Sequence, residues 1–100
     1  MIRTQISMRI RLGAEAEFEQ AWFRGATSVA EVTGNIAQEL VRDAEDAARY
    51  VVTSDWESEE ALSAFSASPQ RVEFSAVLET YRESAERHVY ELVRRLETKR

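Results

Sequence analysis

Residues 2–12 alternate with a period of two. Ile2, Ile6, Met8, Ile10 and Leu12 fall on one face, and Arg3, Gln5, Ser7, Arg9 and Arg11 on the other. That pattern specifies a β-strand buried on one side only. Its apolar row needs a cover, and the sequence that follows supplies one. Gly13 ends the strand, and over residues 14–33 the period becomes helical, with Phe18, Ala21, Trp22, Gly25, Val29 and Val32 on one stripe. Glu15, Glu17 and Glu19 sit in the first turns, where the helix dipole favours anions. Gly25 costs about 1 kcal/mol relative to alanine inside a helix. Close packing on a sheet accounts for it, as would a gap left for a ligand.

Thr33-Gly34-Asn35 is a turn signal. Residues 36–42 read as a second strand, with Ile36 and Leu40 on one side and Ala37 and Val41 on the other. The polar, small stretch from Asp43 to Ala48 is a connection. Residues 49–56 form a third strand. Tyr50, Val52 and Trp56 alternate with Val51 and Thr53, and two apolar faces mark a central strand. Ser58 caps a short helix that runs to about Ala67 and buries Ala61, Leu62 and Phe65. Ser68-Pro69 restarts a helix whose stripe is Phe74, Val77, Leu78 and Tyr81. The last segment admits two periods. Ala85, Val89, Leu92 and Leu96 suit a helix, whereas Val89 and Val93 opposite His88, Tyr90 and Leu92 suit a strand. Its β-branched and aromatic content favours the strand, with residues 94–100 as a solvated tail.

The order β-α-β-β-α-β, its second helix broken at Pro69, predicts an α+β, ferredoxin-like domain over residues 1–100. A four-stranded antiparallel sheet would carry all helices on one face. The other face would be bare, which predicts a homodimer with the two sheets packed together. Composition narrows the function. The 100 residues carry 13 basic and 18 acidic side chains, a net charge of −5, which disfavours nucleic-acid binding through phosphates. The absence of cysteine removes thiolate chemistry and cysteine-ligated metals, and a single histidine makes a transition-metal site unexpected. No apolar run reaches membrane-span length and the start lacks a secretory layout, so the expectation is a cytoplasmic chain with no membrane partner.

Gly34-Asn35-Ile36 is followed by Arg49-Tyr50-Val51-Val52, then by Asp55-Trp56-Glu57-Ser58-Glu59-Glu60-Ala61, Phe65 and Ser68-Pro69. This succession resembles the antibiotic biosynthesis monooxygenase domain family, and the element at the strand-to-helix junction around Trp56 is its most specific part. The resemblance implies a dimeric α+β barrel and oxygenation of an aromatic polyketide or quinol without a cofactor. The haem-degrading branch uses an Asn, a Trp and a His where this chain has Ile6, Phe65 and Ser75. Haem cleavage is therefore not expected. The quinone-forming branch shares Trp56, but its Asn, Tyr and Arg places hold Val52, Leu62 and Ala76.

Oxygenation without a cofactor requires a dry pocket, a proton acceptor and donors for a developing oxyanion. Trp22, Phe23, Trp56, Phe65, Phe74 and Tyr81 are candidates to line such a pocket, though aromatic stripes at helical spacing also build ordinary cores. His88 is the one side chain that titrates near neutrality, and it would be the base if it faced the pocket; a surface or interface place is the alternative. Tyr50, Tyr81 and Tyr90 are candidate oxyanion donors, or interface residues. The expected site is thus His88 and Trp56 as catalytic groups, with Trp22, Phe65, Tyr81, Tyr90 and Tyr50 binding a small aromatic molecule, and no metal or cofactor. Two further readings stay open: a non-oxidative binding or cyclase-like accessory protein of a polyketide pathway, and a structural dimer with a closed pocket.

Overall fold

The computed structural model describes residues 1–99. Its elements are β1 (Ile2–Ile10), α1 (Glu15–Val29), β2 (Asn35–Arg42), β3 (Arg49–Trp56), α2 (Glu59–Ser66), α3 (Pro69–Tyr81) and β4 (Arg82–Glu91). The strands form one antiparallel sheet in the order β2-β3-β1-β4. The chain is therefore α+β and ferredoxin-like, and β3 is central, as its two apolar faces require.

The centre of the sheet is the β1–β3 ladder, which pairs Ile2 with Trp56, Thr4 with Ser54, Ile6 with Val52 and Met8 with Tyr50. Directly opposed residues share a face. Every one of these side chains is uncharged, and together they make the surface on which the helices lie. One buried cluster joins Met8, Ile10, Phe18, Tyr50, Val52 and Leu78; a second joins Ile2, Val29 and Trp56. Burying such a row contributes about 25 cal/mol per Å² of apolar surface, which is what holds helix to sheet.

Helix ends follow local chemistry. Ser58 Oγ accepts from the Ala61 N–H at 3.1 Å, and Ser68 Oγ from the Arg71 N–H at 3.3 Å, with Pro69 at the first turn where its missing donor is harmless. Helix α1 has no side-chain cap and stops at Val29, earlier than residue 33, because a turn begins there. Val32 donates to Val29 O and Asn35 to Val32 O, and Gly34 closes the turn at φ +90°. A side chain at Gly34 would also overlap Ala61 of α2.

Three expectations are corrected. Strand β1 ends at Ile10 rather than residue 12: its register with β4 shifts between Arg9 and Ile10, the Arg11 N–H turns to Tyr81 O at 2.9 Å, and Leu12 is left 90% exposed. Ile36 does not share the core with Leu40, because a bulge between Asn35 and Ala37 makes it the extra residue of β2. Residues 92–99 carry no regular structure, yet Arg95 reaches back to Asp55 at 3.7 Å, so the segment is not wholly solvated. Arg100 of the expected tail lies outside the described residues.

Gly25 faces α3. A Cβ there would run into the Phe74 ring, so the glycine is explained by close approach of α1 and α3. Gly25→Ala sets about 1 kcal/mol of gained helix propensity against an overlap costing about 1–3 kcal/mol. The expected result in urea denaturation is a net loss of stability. A gain near 1 kcal/mol would show that Phe74 yields freely.

Candidate active site

The pairing register separates the expected site residues. Tyr50 and Trp56 lie on the helix-covered face of β3 and are each 1% exposed. Phe65 of α2 stacks on Trp56 with ring centroids 4.8 Å apart and planes 26° off parallel. Trp22 of α1 and Tyr81 of α3 pack on the cluster that contains Tyr50, together with Phe74. These five expected residues share one interior.

His88 and Tyr90 do not. They stand opposite Gln5 and Arg3, on the face that no helix covers. The condition under which His88 would be the base, that it face the helix-covered pocket, is not met within this chain. Alternation along β4 keeps His88 with Tyr90, but only the pairing with β1 decides on which side both emerge. There the imidazole lies 3.5 Å from Glu86 and stacks on the Tyr90 ring at 6.0 Å.

Within the interior the phenol of Tyr50 donates to Glu19 Oε2 at 2.6 Å, and Arg42 holds the same oxygen at 3.6 Å. Burial, then the hydrogen bond to Glu19, pushes the phenol above its ordinary range, so it remains a donor. Its proton is already engaged. The rest of the chamber is filled by its own side chains, Phe18 being fully buried and meeting Tyr50 edge-on at 4.9 Å. Open grooves occur at the edges of the helix layer. One of 440 Å³ runs between α1 and α3 over Gly25 and Phe74, and one of 280 Å³ between α1 and β2 along Trp22 and Gln38.

Helix α2, which carries Phe65, has no fully buried residue. It packs over Trp56 through the half-buried Ala61, Leu62 and Phe65. The helix side of β4 is also uncovered. Val89, opposite Thr4, is 47% exposed, and Arg87, opposite Ile6, is exposed beside it. Arg87 was not singled out from the sequence. Its signal is its parity with Val89, which places a cation at the open flank of the interior. Among the described residues no group of three or more potential metal ligands forms.

The uncovered face is polar. Arg3 donates to both carboxylate oxygens of Asp55, at 2.7 and 2.9 Å, and Arg9 bonds Asp46 at 2.8 Å. Val41 and Val51 pair beside these charges.

A family profile described as antibiotic biosynthesis monooxygenase matches residues 1–77. The chain belongs to the antibiotic biosynthesis monooxygenase family. The fold of SnoaB, a cofactor-independent oxygenase from Streptomyces nogalater, superposes with a TM-score of 0.86 over 97% of both chains at 22% identity. A conserved protein from Methanosarcina mazei superposes with a TM-score of 0.81 over 89% of both chains at 17% identity. Protein SchA of Streptomyces halstedii is 32% identical over 80 residues, which is 80% of this chain and 21% of that protein. The chain thus spans about a fifth of the length of this curated relative. At 22% identity the likeness to SnoaB carries the family fold, not its chemistry. Among the described residues no helix of this family member is long and apolar enough to cross a membrane.

The guanidinium of Arg3 holds the Asp55 carboxyl below its ordinary range, against the opposing effect of burial. Because the folded value is the lower one, the stabilisation is complete above the unfolded value of 3.8 and disappears as pH falls through the folded value. Asp55→Asn is expected to cost about 1–3 kcal/mol at pH 7, since Asp55 is buried and Arg3 only partly so. The deficit should shrink at pH 3 in denaturant titrations. A deficit equal at both pH values would show that the ion pair does not stabilise the fold.

Proposed function

We propose that this chain is an oxygenase domain that needs no cofactor, acts on a small aromatic molecule of polyketide or quinol type, and works as a homodimer closed through its uncovered sheet face. The observation that carries the reading is the Trp56–Phe65 stack. It closes one end of an interior in which every helix-facing side chain of β1 and β3 is uncharged. Membership of the monooxygenase family and the cofactor-independent chemistry of SnoaB support it.

The chemistry asks little of the protein. A methylene flanked by aromatic carbonyl or phenol groups loses a proton, and the delocalised anion passes one electron to O2. The radical pair combines to a hydroperoxide, and loss of water leaves a ketone. One CH2 and one O2 thus become one C=O and one H2O. An apolar interior favours transfer to neutral O2 and keeps water from the intermediate. Trp56 and Phe65 present flat faces for the ring system once α2 lifts, and Tyr81 and Trp22 line the neighbouring wall. Arg87, on the helix side of β4 opposite Ile6, is the cation that this reading assigns to the substrate anion. His88 and Tyr90, on the far face, take no part in this chamber; they belong to the surface that the second copy would cover. The proton leaves to water at the open flank. The reading places the domain in the cytoplasm.

The alternative is a non-oxidative accessory role, such as binding or cyclisation within a polyketide pathway. Val52, Leu62 and Ala76 favour it, because they leave apolar contacts where the quinone-forming branch has polar ones. Oxygen uptake separates the two. With hydroxylated anthrones and no added cofactor, the oxygenase consumes one O2 per ketone formed and stops under nitrogen. Anthrone binding without oxygen consumption across the panel would overturn the oxygenase, and product formed equally well under nitrogen would establish the alternative. Trp56→Ala is expected to lower kcat/KM by about 100-fold, the loss of an aromatic platform and its ordering of the substrate. An unchanged rate would remove Trp56 from the site.

A further inference from the structure

Tyr50 is a buried phenol that the proposed oxygenation leaves unused. Its side chain is 1% exposed, meets Phe18 edge-on at 4.9 Å, and lies in the core cluster on which Trp22 and Tyr81 pack. The hydroxyl donates to Glu19 Oε2 at 2.6 Å, the length of a hydrogen bond to an ionised acceptor. The Glu19 side chain is 45% exposed, so the carboxylate joins the buried phenol to water. Arg42, 3.6 Å from the same carboxylate oxygen, keeps that oxygen in place. Burial and the bond to Glu19 raise the phenol above its ordinary range, so its proton is present at neutral pH. With no cysteine in the chain, one-electron oxidation falls on its two tryptophans and three tyrosines. Among the described residues, Tyr50 is the one of these whose donor meets a carboxylate.

Removing one electron from a phenol makes its O–H strongly acidic. In an apolar interior the resulting cation is costly unless the proton leaves with the electron. Tyr50 has an acceptor in place for that proton, and the product pair, a neutral phenoxyl beside a neutral carboxylic acid, carries no buried charge. We propose that Tyr50 is a redox-active tyrosine, which gives one electron to an organic peroxyl radical at the core while its proton passes to Glu19. The O–H bond of Tyr50 breaks, an O–H bond forms on Glu19, and Glu19 returns the proton to water. The reduced peroxyl takes a proton from water. One peroxyl radical and one tyrosine thus become one hydroperoxide and one tyrosyl radical. A phenolic small molecule returns the hydrogen atom and leaves as an aryloxyl radical. Tyr50 so serves as a sink for oxidising radicals that reach the core. The oxygenation proposed above is one source of them, but the assignment does not rest on it.

The test needs no substrate. Photo-oxidised tris(bipyridine)ruthenium, with persulfate as the electron acceptor, supplies the one-electron oxidant. Chain grown on ring-deuterated tyrosine identifies a tyrosyl radical by the narrowing of its EPR spectrum. The expected result is a tyrosyl signal that is retained in the Tyr81→Phe/Tyr90→Phe variant, where Tyr50 is the tyrosine that remains, and lost from that background when Tyr50→Phe is added. In Glu19→Gln the amide oxygen still accepts the hydrogen bond but does not take the proton. Radical formation, followed by time-resolved absorption in the double-variant background, should be about 100-fold slower there, the effect of losing a positioned base. On the native chain it should be slower in D2O than in H2O, a readout that does not depend on any variant folding. No tyrosyl signal in the double variant, a rate unchanged by Glu19→Gln, or equal rates in the two solvents on the native chain would each overturn the proposal. Absence of oxygen uptake with anthrones would leave it standing, since the oxidant is supplied by light.

Discussion

Everything in this fold is built on the β1–β3 ladder. Its opposed pairs, from Ile2 with Trp56 to Met8 with Tyr50, form an uncharged strip in the middle of the sheet. An antiparallel pair with one apolar face must be covered on that face, and α1 and α3 cover it. The same strip excludes fixed charge from the space where Trp56 lies. One arrangement thus makes the core and keeps the charged side chains of β1 and β3 off the helix-covered face.

The helix layer is uneven in how firmly it is held. Helices α1 and α3 approach closely because Gly25 leaves room for the Phe74 ring, and Leu78 anchors α3 in the core. Helix α2 is capped by Ser58 but buries no residue completely. On the opposite side of the sheet the chemistry is reversed. Arg3 and Asp55 are paired across neighbouring strands, and His88, Glu86 and Tyr90 cluster along the edge strand.

Much of this architecture is legible along the chain. The period-two run at β1, the doubly apolar β3 at residues 49–56 and the Ser68-Pro69 break between α2 and α3 each rest on a local cause: alternation, composition or capping. So does the Trp56 neighbourhood, because a tryptophan sharing parity with Tyr50 and Val52 follows them to the same face. Other features have no local signature. Leu12 continues the alternation of β1 perfectly and yet has no partner strand. Ile36 looks like a core residue and is the extra residue of a bulge. The parity of Arg87 with Val89 is visible, but the side on which both emerge is not, without knowing what stands opposite.

His88 shows where the division falls. Alternation along a strand states which side chains travel together, and His88 travels with Tyr90 whatever the fold. It does not state which way they travel, since a strand turned over has the same period. That choice is made by pairing with β1, where Gln5 meets His88 and Arg3 meets Tyr90, and it carries the one imidazole away from the helices. Periodicity, caps and turns are short-range properties written in adjacent residues. The facing of an edge strand and the fit of one helix against another arise between residues distant in sequence, so only the assembled molecule decides them.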